Sequence, residues 1–219
     1  DKYSMAERMI NQLENNSSTF EDVRTELAQV KAHYFLNQKK YEQALPALLQ
    51  VLELSKDKQL NARVSFIIGQ INQRLKNSKS AAVAFEKVIK FRPLYEMEFN
   101  ARLKLATTSW KTGRGTSAEA KKSLQKMLKD IKNEEYKDAI YFALADIYLS
   151  EDNRPEAIAN LQQSAWNSIK NINQKTEAYL LLGDLFYEDE NYVFAKSYYD
   201  STFQLMQKTD DRWGRVNDL

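Results

Sequence analysis

The amino-acid sequence predicts an all-α protein, a right-handed α-solenoid in which antiparallel helix pairs stack on one another. The 219 residues include 5 Gly and 3 Pro but 12 Tyr and 10 Phe, so turn formers are too few for a strand-rich fold. A composition of 43% hydrophobic and 28% charged residues is typical of a folded chain rather than a disordered one. Small and large apolar residues also recur every 37 to 39 positions, which indicates a series of similar helical hairpins.

The repeat is clearest at one small residue in each first helix. These residues are Ala32, Gly69, Ala106, Ala145 and Gly183, and they are separated by 37, 37, 39 and 38 positions. A small side chain there lets the two helices of a pair approach closely, while larger apolar side chains fill the space between neighbouring pairs. Further structural positions are predicted at Ala44, Ala81, Phe85, Pro93, Ala120, Ala157, Ala195 and Tyr199.

The same register predicts the organisation of the chain. Tyr3, Ala6 and Ile10 stand one period before equivalent residues of the next second helix. Residues 1–23 are therefore predicted to hold the second helix of a truncated upstream repeat and a loop. Residues 24–219 are predicted to form an array of about five repeats, with the start of a further helix at the C-terminal end. We expect the chain to be a piece of a longer array.

Turn and cap residues agree with this register. Thr116 followed by Glu119 predicts a capping box at the start of a second helix. Pro93 stands where a helix is expected to stop, and Pro155 where one is expected to begin. The turn 112–116 carries two extra residues; it lacks the Gly-Lys-Ser/Thr ending of a phosphate-binding loop, so a loop insertion is the better interpretation.

The sequence predicts no catalytic, metal or cofactor site. There is no Cys, and the single His33 has Gln29 and Asn37 as helical neighbours, which are poor metal ligands. Asp184 and Glu188 lie four residues apart on one helix face, where an acidic strip facing solvent or a partner is expected rather than acid–base chemistry. We therefore expect a protein that is not an enzyme and that has no small-molecule substrate.

Other proteins are the predicted partners. In such a solenoid the first helices line a concave groove, and side chains one turn apart on them reach the ligand. The register places these residues on the groove: His33, Asn37, Arg63, Phe66, Gln70, Arg74, Asn100, Trp110, Lys111, Asp146, Asp184, Tyr187 and Glu188. Exposed aromatics beside fixed charges are typical anchors of a protein interface. The same register also places Phe142 on the groove. For Phe66, Trp110 and Phe142 the alternative is burial between repeats.

Charge is distributed unevenly along the chain. Residues 62–132 hold 16 Lys and Arg against 5 Asp and Glu, a net charge of +11, whereas residues 133–219 hold 8 against 16, a net charge of −8. A segment of each sign favours an oriented contact with another protein. The alternative is a cytosolic regulatory array whose basic segment binds nucleic acid or protein, but the acidic segment would repel phosphate, so nucleic acid is not the expected partner.

The repeat residues resemble the tetratricopeptide repeat (TPR) family over nearly the whole chain. The resemblance implies a TPR-like superhelix that binds proteins. One subclass of the family grips C-terminal carboxylates of chaperones with Lys and Asn on the groove helices. Gln29 and His33 stand where the first such Lys and Asn would be, so the resemblance does not extend to that clamp.

Four stretches also resemble a narrower family, the PorW/SprE proteins of type IX secretion and gliding motility in Bacteroidetes. They are residues 31–48, 92–106, 133–149 and 173–202. This resemblance implies a TPR-containing lipoprotein component at the periplasmic face of the outer membrane that links secretion-machinery subunits. Attachment to the membrane would then be only through a lipid anchor outside this chain. A cytoplasmic location is the alternative.

Overall fold

The computed structural model describes residues 2–16, 21–113, 115–210 and 212–217, and within these ranges it contains helices and no strand. The predicted fold class, an all-α solenoid of antiparallel helix pairs, is confirmed. The chain divides into two compact units, Asp1–Arg114 and Gly115–Leu219. The division falls inside the turn 112–116, where the sequence carries its two extra residues.

The first unit is built around two helix pairs. Its helices are α1 (Lys2–Glu14), α2 (Glu21–Asn37), α3 (Tyr41–Leu54), α4 (Lys58–Arg74), α5 (Ser78–Lys90) and α6 (Tyr95–Ser109). Helix α2 packs on α3, and α4 packs on α5. Their shared core contains Ala32, Leu48, Val51 and Ile68. Four apolar side chains of this kind, drawn from three helices, show that neighbouring pairs share one core rather than having separate ones.

The end of α6 differs from the prediction. Trp110 and Lys111 were placed on a first helix by their spacing, but α6 ends at Ser109 and a short 3-10 helix, Trp110–Thr112, follows it. The tighter turn has a local cause, since the Thr112 hydroxyl donates to the Ser109 carbonyl at 2.6 Å and Gly113 then adopts a left-handed φ of 72°. Both side chains therefore project from a turn rather than from a regular helix face.

The second unit repeats the arrangement of the first. Its helices are α7 (Ser117–Lys129), α8 (Lys137–Ser150), α9 (Arg154–Asn167), α10 (Ile172–Glu188), α11 (Tyr192–Leu205) and α12 (Trp213–Asn217), with a 3-10 helix at Ile131–Tyr136 before α8. The pairs are α8 with α9 and α10 with α11. The predicted boundary between residues 1–23 and 24–219 stays a prediction, because residues 17–20 lie outside the described part of the chain.

Polar caps begin many of these helices. The side chains of Asp57, Asn77, Asn153, Asn171 and Asn191 each accept a backbone N–H of the helix that follows. A cap of this type stabilises a helix by about 1 kcal/mol because it satisfies an amide that has no partner within the helix. The helix starts are thus fixed locally, by residues that the sequence places before each apolar run.

The predicted capping box at the start of α7 is confirmed. Thr116 Oγ1 accepts the Glu119 backbone N–H at 3.2 Å, and a carboxylate oxygen of Glu119 accepts the Thr116 backbone N–H at 2.8 Å. Pro155 lies in the first turn of α9, and Pro93 lies between the end of α5 and the start of α6, as their positions in the sequence predict.

Each repeat contains one left-handed residue in the turn between its two helices. Positive φ angles occur at Lys39 (58°), Lys76 (58°), Gly113 (72°), Asp152 (59°) and Glu190 (58°). In the four repeats without glycine there, the N–H of the next residue donates to the carbonyl five residues earlier at 2.8 or 2.9 Å. This hydrogen bond closes the first helix of each pair and sets the direction of the second.

Close approach within a pair depends on facing residues of complementary size. A Cβ added to Gly69 would lie 2.5 Å from Phe85 Cε1, and a Cβ added to Gly183 would lie 2.7 Å from Tyr199 Cδ1. Only glycine leaves room for these rings, because such distances are far below carbon–carbon contact.

All thirteen residues predicted to be structural are buried. Within the described ranges no helix is long and apolar enough to cross a membrane.

Candidate partner-binding surface

Helix α4 carries the clearest part of the predicted surface. Arg63, Gln70 and Arg74, hereafter the α4 row, are exposed and share one face of the helix because they are spaced at seven and four residues. The opposite side of α4 is in the core, where Ile68 is buried. The Arg74 guanidinium lies 5.0 Å from the centre of the Tyr41 ring, a cation–π contact that orients its charge.

The α2 part of the predicted surface is polar. His33 and Asn37 are exposed, and the Asn37 amide nitrogen lies 3.0 Å from His33 Nε2. In the described ranges no group of three or more His, Asp or Glu residues could hold a metal ion. Because His33 is paired with an amide, the arrangement offers a hydrogen-bonding surface.

The α6 part of the predicted surface is partly buried. Asn100 is half-buried, and its amide donates to the Glu96 carbonyl at 2.9 Å. Trp110 is half-buried, and its indole nitrogen is buried with no hydrogen-bond partner. The exposed Lys111 places its ammonium 5.3 Å from the centre of the Trp110 ring. Lys111 is thus held beside an aromatic ring, as Arg74 is.

Two of the predicted aromatic anchors are packing residues instead. Phe66 is half-buried and meets Phe85 edge-on, with ring centres 5.6 Å apart. Phe142 is half-buried against the core of the second unit beside Leu161 and Leu182. The alternative given for both in the sequence, burial between repeats, describes them better because each ring packs against apolar neighbours.

In the second unit, the predicted acidic strip is held largely by internal contacts. Asp184 accepts a hydrogen bond from the Tyr199 hydroxyl at 2.8 Å. Glu188 pairs with Arg154, and this carboxylate is the main reason why the pKa of the guanidinium is raised above its usual value. Asp146 is exposed on α8. These three carboxylates therefore do not form an open acidic row.

Tyr187 is the predicted aromatic of this half that stays exposed. It is 48% exposed and meets Tyr192 edge-on, with ring centres 5.5 Å apart. A tyrosine held in place by a neighbouring ring but open to solvent is a good contact residue, because little side-chain entropy remains to be lost on binding.

Asp138, a residue that the sequence did not single out, joins three elements of the second unit. Its side chain is buried. Its carboxylate accepts hydrogen bonds from the Ser168 hydroxyl at 3.3 Å and the Asn171 amide at 3.1 Å, and its carbonyl accepts one from the Ser164 hydroxyl at 2.9 Å. This role is structural, because these hydrogen bonds join α8 to the end of α9 and the start of α10.

An ion-pair group ties the end of the chain to α10. The Arg212 guanidinium contacts Glu177 at 2.6 Å and Asp210 at 2.8 Å. Hydrogen bonds from Arg212 lower the pKa of Asp210 from 3.8 to about 2. All three groups are solvent-accessible, so their contribution is expected to be screened by salt.

An aromatic ladder on the second unit also escaped the sequence interpretation. It consists of Phe194, Phe186, Tyr198 and Tyr179, whose successive ring centres are 5.3, 5.5 and 6.0 Å apart. Gln162 of α9 donates a hydrogen bond to the Tyr198 hydroxyl of α11 at 3.0 Å. The ladder lies between α9 and α11 over α10. Aligning the repeats would have shown the rings together, but not that they contact one another.

Two exposed apolar side chains stand next to the ladder. Trp166 and Ile169 are 82% and 81% exposed, and both line a depression with Tyr179 and Tyr198. Neither was among the predicted surface residues, because Trp166 lies at the end of a second helix and Ile169 in the loop after it, rather than on a first helix.

Comparisons with known sequences agree with the repeated helix pairs of the structure. The sequence model of the SusR N-terminal TPR domain matches residues 98–213, more than half of the chain. The chain belongs to this family of TPR proteins. The general tetratricopeptide repeat model also matches residues 25–58 and 62–93, so TPR sequence signals extend over both halves. The narrower resemblance to PorW/SprE is not confirmed and stays a prediction.

Solved structures of TPR type resemble the chain in fold. The type IV pilus biogenesis factor PilW has a TM-score of 0.61 at 16% identity, covering 98% of this chain and 90% of that chain. BtubC from P. vanneervenii has a TM-score of 0.58 at 14% identity, covering 93% and 89%. The pilF protein of Pseudomonas aeruginosa has a TM-score of 0.58 at 20% identity, covering 86% and 79%. These identities show the fold alone, and a search among curated proteins gives no match.

Proposed function

We propose that this chain is a non-catalytic scaffold that binds other proteins through the exposed faces of its first helices. Membership of a TPR family supports an interaction role. The α4 row supports it most directly, because two guanidinium groups and an amide stand exposed on one helix face. Such a row can hydrogen-bond to carboxylates and backbone carbonyls of a partner without any rearrangement of the core.

The charge of the first unit favours an acidic partner. Residues 62–114 hold 11 Lys and Arg against 3 Asp and Glu, a net charge of +8. Complementary charge accelerates association and orients the partner. Nucleic acid would meet the same attraction, but residues 133–219 carry a net charge of −8, with 8 Lys and Arg against 16 Asp and Glu, and would repel a long phosphate backbone. A protein with an acidic surface is the better match.

The finer proposal is a subunit-linking role in type IX secretion or gliding motility, at the periplasmic face of the outer membrane. It rests on the four stretches that resemble the PorW/SprE family. The alternative is a cytosolic regulatory array that uses the basic segment. Fractionation of the protein in its native host distinguishes the two: lipid-dependent recovery with the outer membrane supports the first, and recovery in the cytoplasm contradicts it.

A peptide display library of random sequence tests the scaffold proposal. Peptides enriched on the full chain are measured again on a variant with Arg63→Glu, Arg74→Glu and Lys111→Glu. We expect enrichment of acidic peptides and a loss of affinity of about tenfold or more, because charge-assisted hydrogen bonds are replaced by repulsion. Unchanged affinity would remove the α4 row from the binding surface.

The matched control carries the same change in charge elsewhere on the first unit. Lys56→Glu, Lys76→Glu and Lys90→Glu replace three exposed cations outside the α4 row. At Lys76, Glu is compatible with the left-handed turn, since Glu190 occupies the equivalent turn with the same φ of 58°. Equal losses in both variants would indicate a non-specific charge effect. Tight binding of duplex DNA at physiological salt would favour the regulatory alternative.

A further inference from the structure

A groove with a volume of about 570 Å³ lies between α3 and α5 of the first unit, with α4 as its floor. Its apolar wall is formed by Leu45, Leu49 and Leu52 of α3. These leucines are spaced at four and three residues, so they face the same way along the helix. Leu49 is 46% exposed, so this wall is accessible to solvent.

The second unit shows how aromatic side chains line the equivalent groove. There it lies between α9 and α11 over α10, where Tyr179 and Tyr198 of the aromatic ladder border a depression of about 580 Å³. The residues of the first unit that stand 114 positions before the four ladder residues are Ser80, Asn72, Ala84 and Ser65. Four rings are thus replaced by four small or polar side chains. The two grooves therefore differ in the chemistry of their lining, which is aromatic in the second unit and small or polar at the same positions in the first.

A buried polar atom at the floor of the open groove also lacks a partner. Ser65 is 0% exposed and lines the groove, and its hydroxyl has no hydrogen-bond partner. An unsatisfied buried hydroxyl is unfavourable, and a ligand that reaches it removes the penalty. In the second unit the equivalent position is Tyr179, a member of the ladder, so no buried serine hydroxyl stands at that position.

Charge indicates the kind of ligand. Among the residues that the structure describes, the charged side chains that line the groove are Lys79 and Lys87 of α5. They are spaced at eight residues and stand along one edge of the groove. The groove therefore combines an apolar wall with a cationic edge, and its best complement has an apolar face bordered by carboxylates.

We infer that this groove binds an amphipathic helix of another protein, with Phe, Tyr or Leu one turn apart on its apolar face and Asp or Glu along its edge. Helix-in-groove binding uses this spacing of anchors. The ladder provides the template, because Phe194 and Tyr198 are four residues apart on α11 and project side by side into the equivalent groove. The partner's side chains would take the place of these rings.

The groove is separate from the surface of the proposed function. Ser65 and Ile68 face the groove, whereas Arg63 and Gln70 lie on the other side of α4. A ligand can therefore occupy the groove whether or not the α4 row binds a partner. The two proposals can fail independently.

The test uses a display library of amphipathic helices about 16 residues long, slightly longer than the 14 residues of α3. Apolar-face and edge positions are randomised, and enriched peptides are measured on the full chain by fluorescence polarisation. The main variant, Leu49→Gln with Ala84→Tyr, rebuilds in the first unit the hydrogen-bonded pair that Gln162 and Tyr198 form in the second. This filled variant narrows the groove with groups that this fold already accommodates.

We expect enriched peptides to carry aromatic or Leu anchors four residues apart with acidic edges, and to bind the filled variant at least about tenfold more weakly. Lys79→Glu with Lys87→Glu should weaken binding similarly, and this variant changes only side chains at the groove edge. The variant that reverses Arg63, Arg74 and Lys111 should leave affinity unchanged.

Three outcomes would overturn the inference: no enrichment on the full chain, equal affinity for the filled variant, or enrichment of helices with basic edges. Circular dichroism and thermal unfolding establish that each variant is folded. If the filled variant does not fold, the double charge reversal at Lys79 and Lys87 decides the question, since unchanged affinity there contradicts the proposed cationic edge. Loss of affinity in the Arg63, Arg74 and Lys111 variant instead would assign the peptides to the α4 row.

Discussion

Replacing Gly69 by Ala should destabilise the first unit, and replacing Phe85 by Leu in the same chain should recover much of the loss. The added Cβ would lie 2.5, 2.7 and 2.8 Å from Cε1, Cζ and Cδ1 of Phe85, a ring that is 0% exposed. Non-bonded carbons prefer about 3.5–4.0 Å, so the ring would have to move by about 1 Å inside a packed core. The core has no spare space beside it.

The expected magnitude follows from two opposing effects. Overpacking costs about 1–3 kcal/mol, and the upper end applies because three ring atoms are affected at once. The better helix propensity of Ala over Gly offsets about 1 kcal/mol. The Gly69→Ala change should therefore lower the free energy of unfolding by about 2 kcal/mol. Phe85→Leu alone should cost about 1–2 kcal/mol through the space left beside glycine.

The double variant should be more stable than the sum of the single changes by about 2 kcal/mol, because the new methyl group fills the space that leucine leaves. The chain already contains this combination. Ala32 and Leu48 occupy the equivalent positions in one core, and Ala145 and Leu161 occupy them in another. Alanine thus occurs with leucine, and glycine occurs with an aromatic ring.

Urea unfolding followed by far-ultraviolet circular dichroism measures the four free energies of this cycle. The slope of each transition should stay constant, so that a change in midpoint reports stability. If the double variant loses the sum of the two single losses within about 0.5 kcal/mol, the two positions are independent and the size-matching explanation is wrong.

Other contacts give predictions of different kinds. Asp138→Ala should lower the free energy of unfolding of the second unit by about 3 kcal/mol in urea, since the buried Ser168 hydroxyl and the Asn171 amide lose their carboxyl acceptor; an effect below about 1 kcal/mol would contradict its role as a junction. Arg212→Gln should return the carboxyl pKa of Asp210, measured by NMR titration, from about 2 toward 3.8. Because this pKa is lower in the folded state, its contribution to stability is present above 3.8 and lost as pH falls toward about 2. Thr116→Ala should cost about 1 kcal/mol in thermal unfolding, whereas Thr116→Ser, which keeps the capping hydroxyl, should cost much less.

Helix pairing was predictable because its requirement, a small residue where the two helices touch, lies within each repeat and recurs with the repeat. Gly69 and Gly183 recur at the positions of Ala32 and Ala145, and only a small residue there allows two helices to touch. The capping residues were equally predictable from the sequence, since a cap and its helix are adjacent along the chain. The end of α6 was missed because the 3-10 turn at Trp110 depends on one side-chain hydrogen bond.

The surface was less predictable because it depends on which side chains find internal partners. Asp184 looked like an exposed carboxylate, but the Tyr199 hydroxyl, fifteen residues away, donates to it. Phe66 looked like an anchor, but Phe85 covers one edge of its ring. The open groove could not be inferred from any single repeat. Its lining differs from that of the second unit where Ala84 stands in place of Tyr198.

The left-handed residues have a consequence for engineering. Four of the five turns hold Lys39, Lys76, Asp152 or Glu190 in a backbone conformation that glycine adopts freely, and each such residue costs on the order of 1 kcal/mol. The protein could therefore gain stability at these regularly spaced turns, three of which directly precede the capping residues Asn77, Asn153 and Asn191. One glycine could replace the left-handed residue in each turn. Thermal stability could then be adjusted in small steps without changing the predicted partner-binding residues.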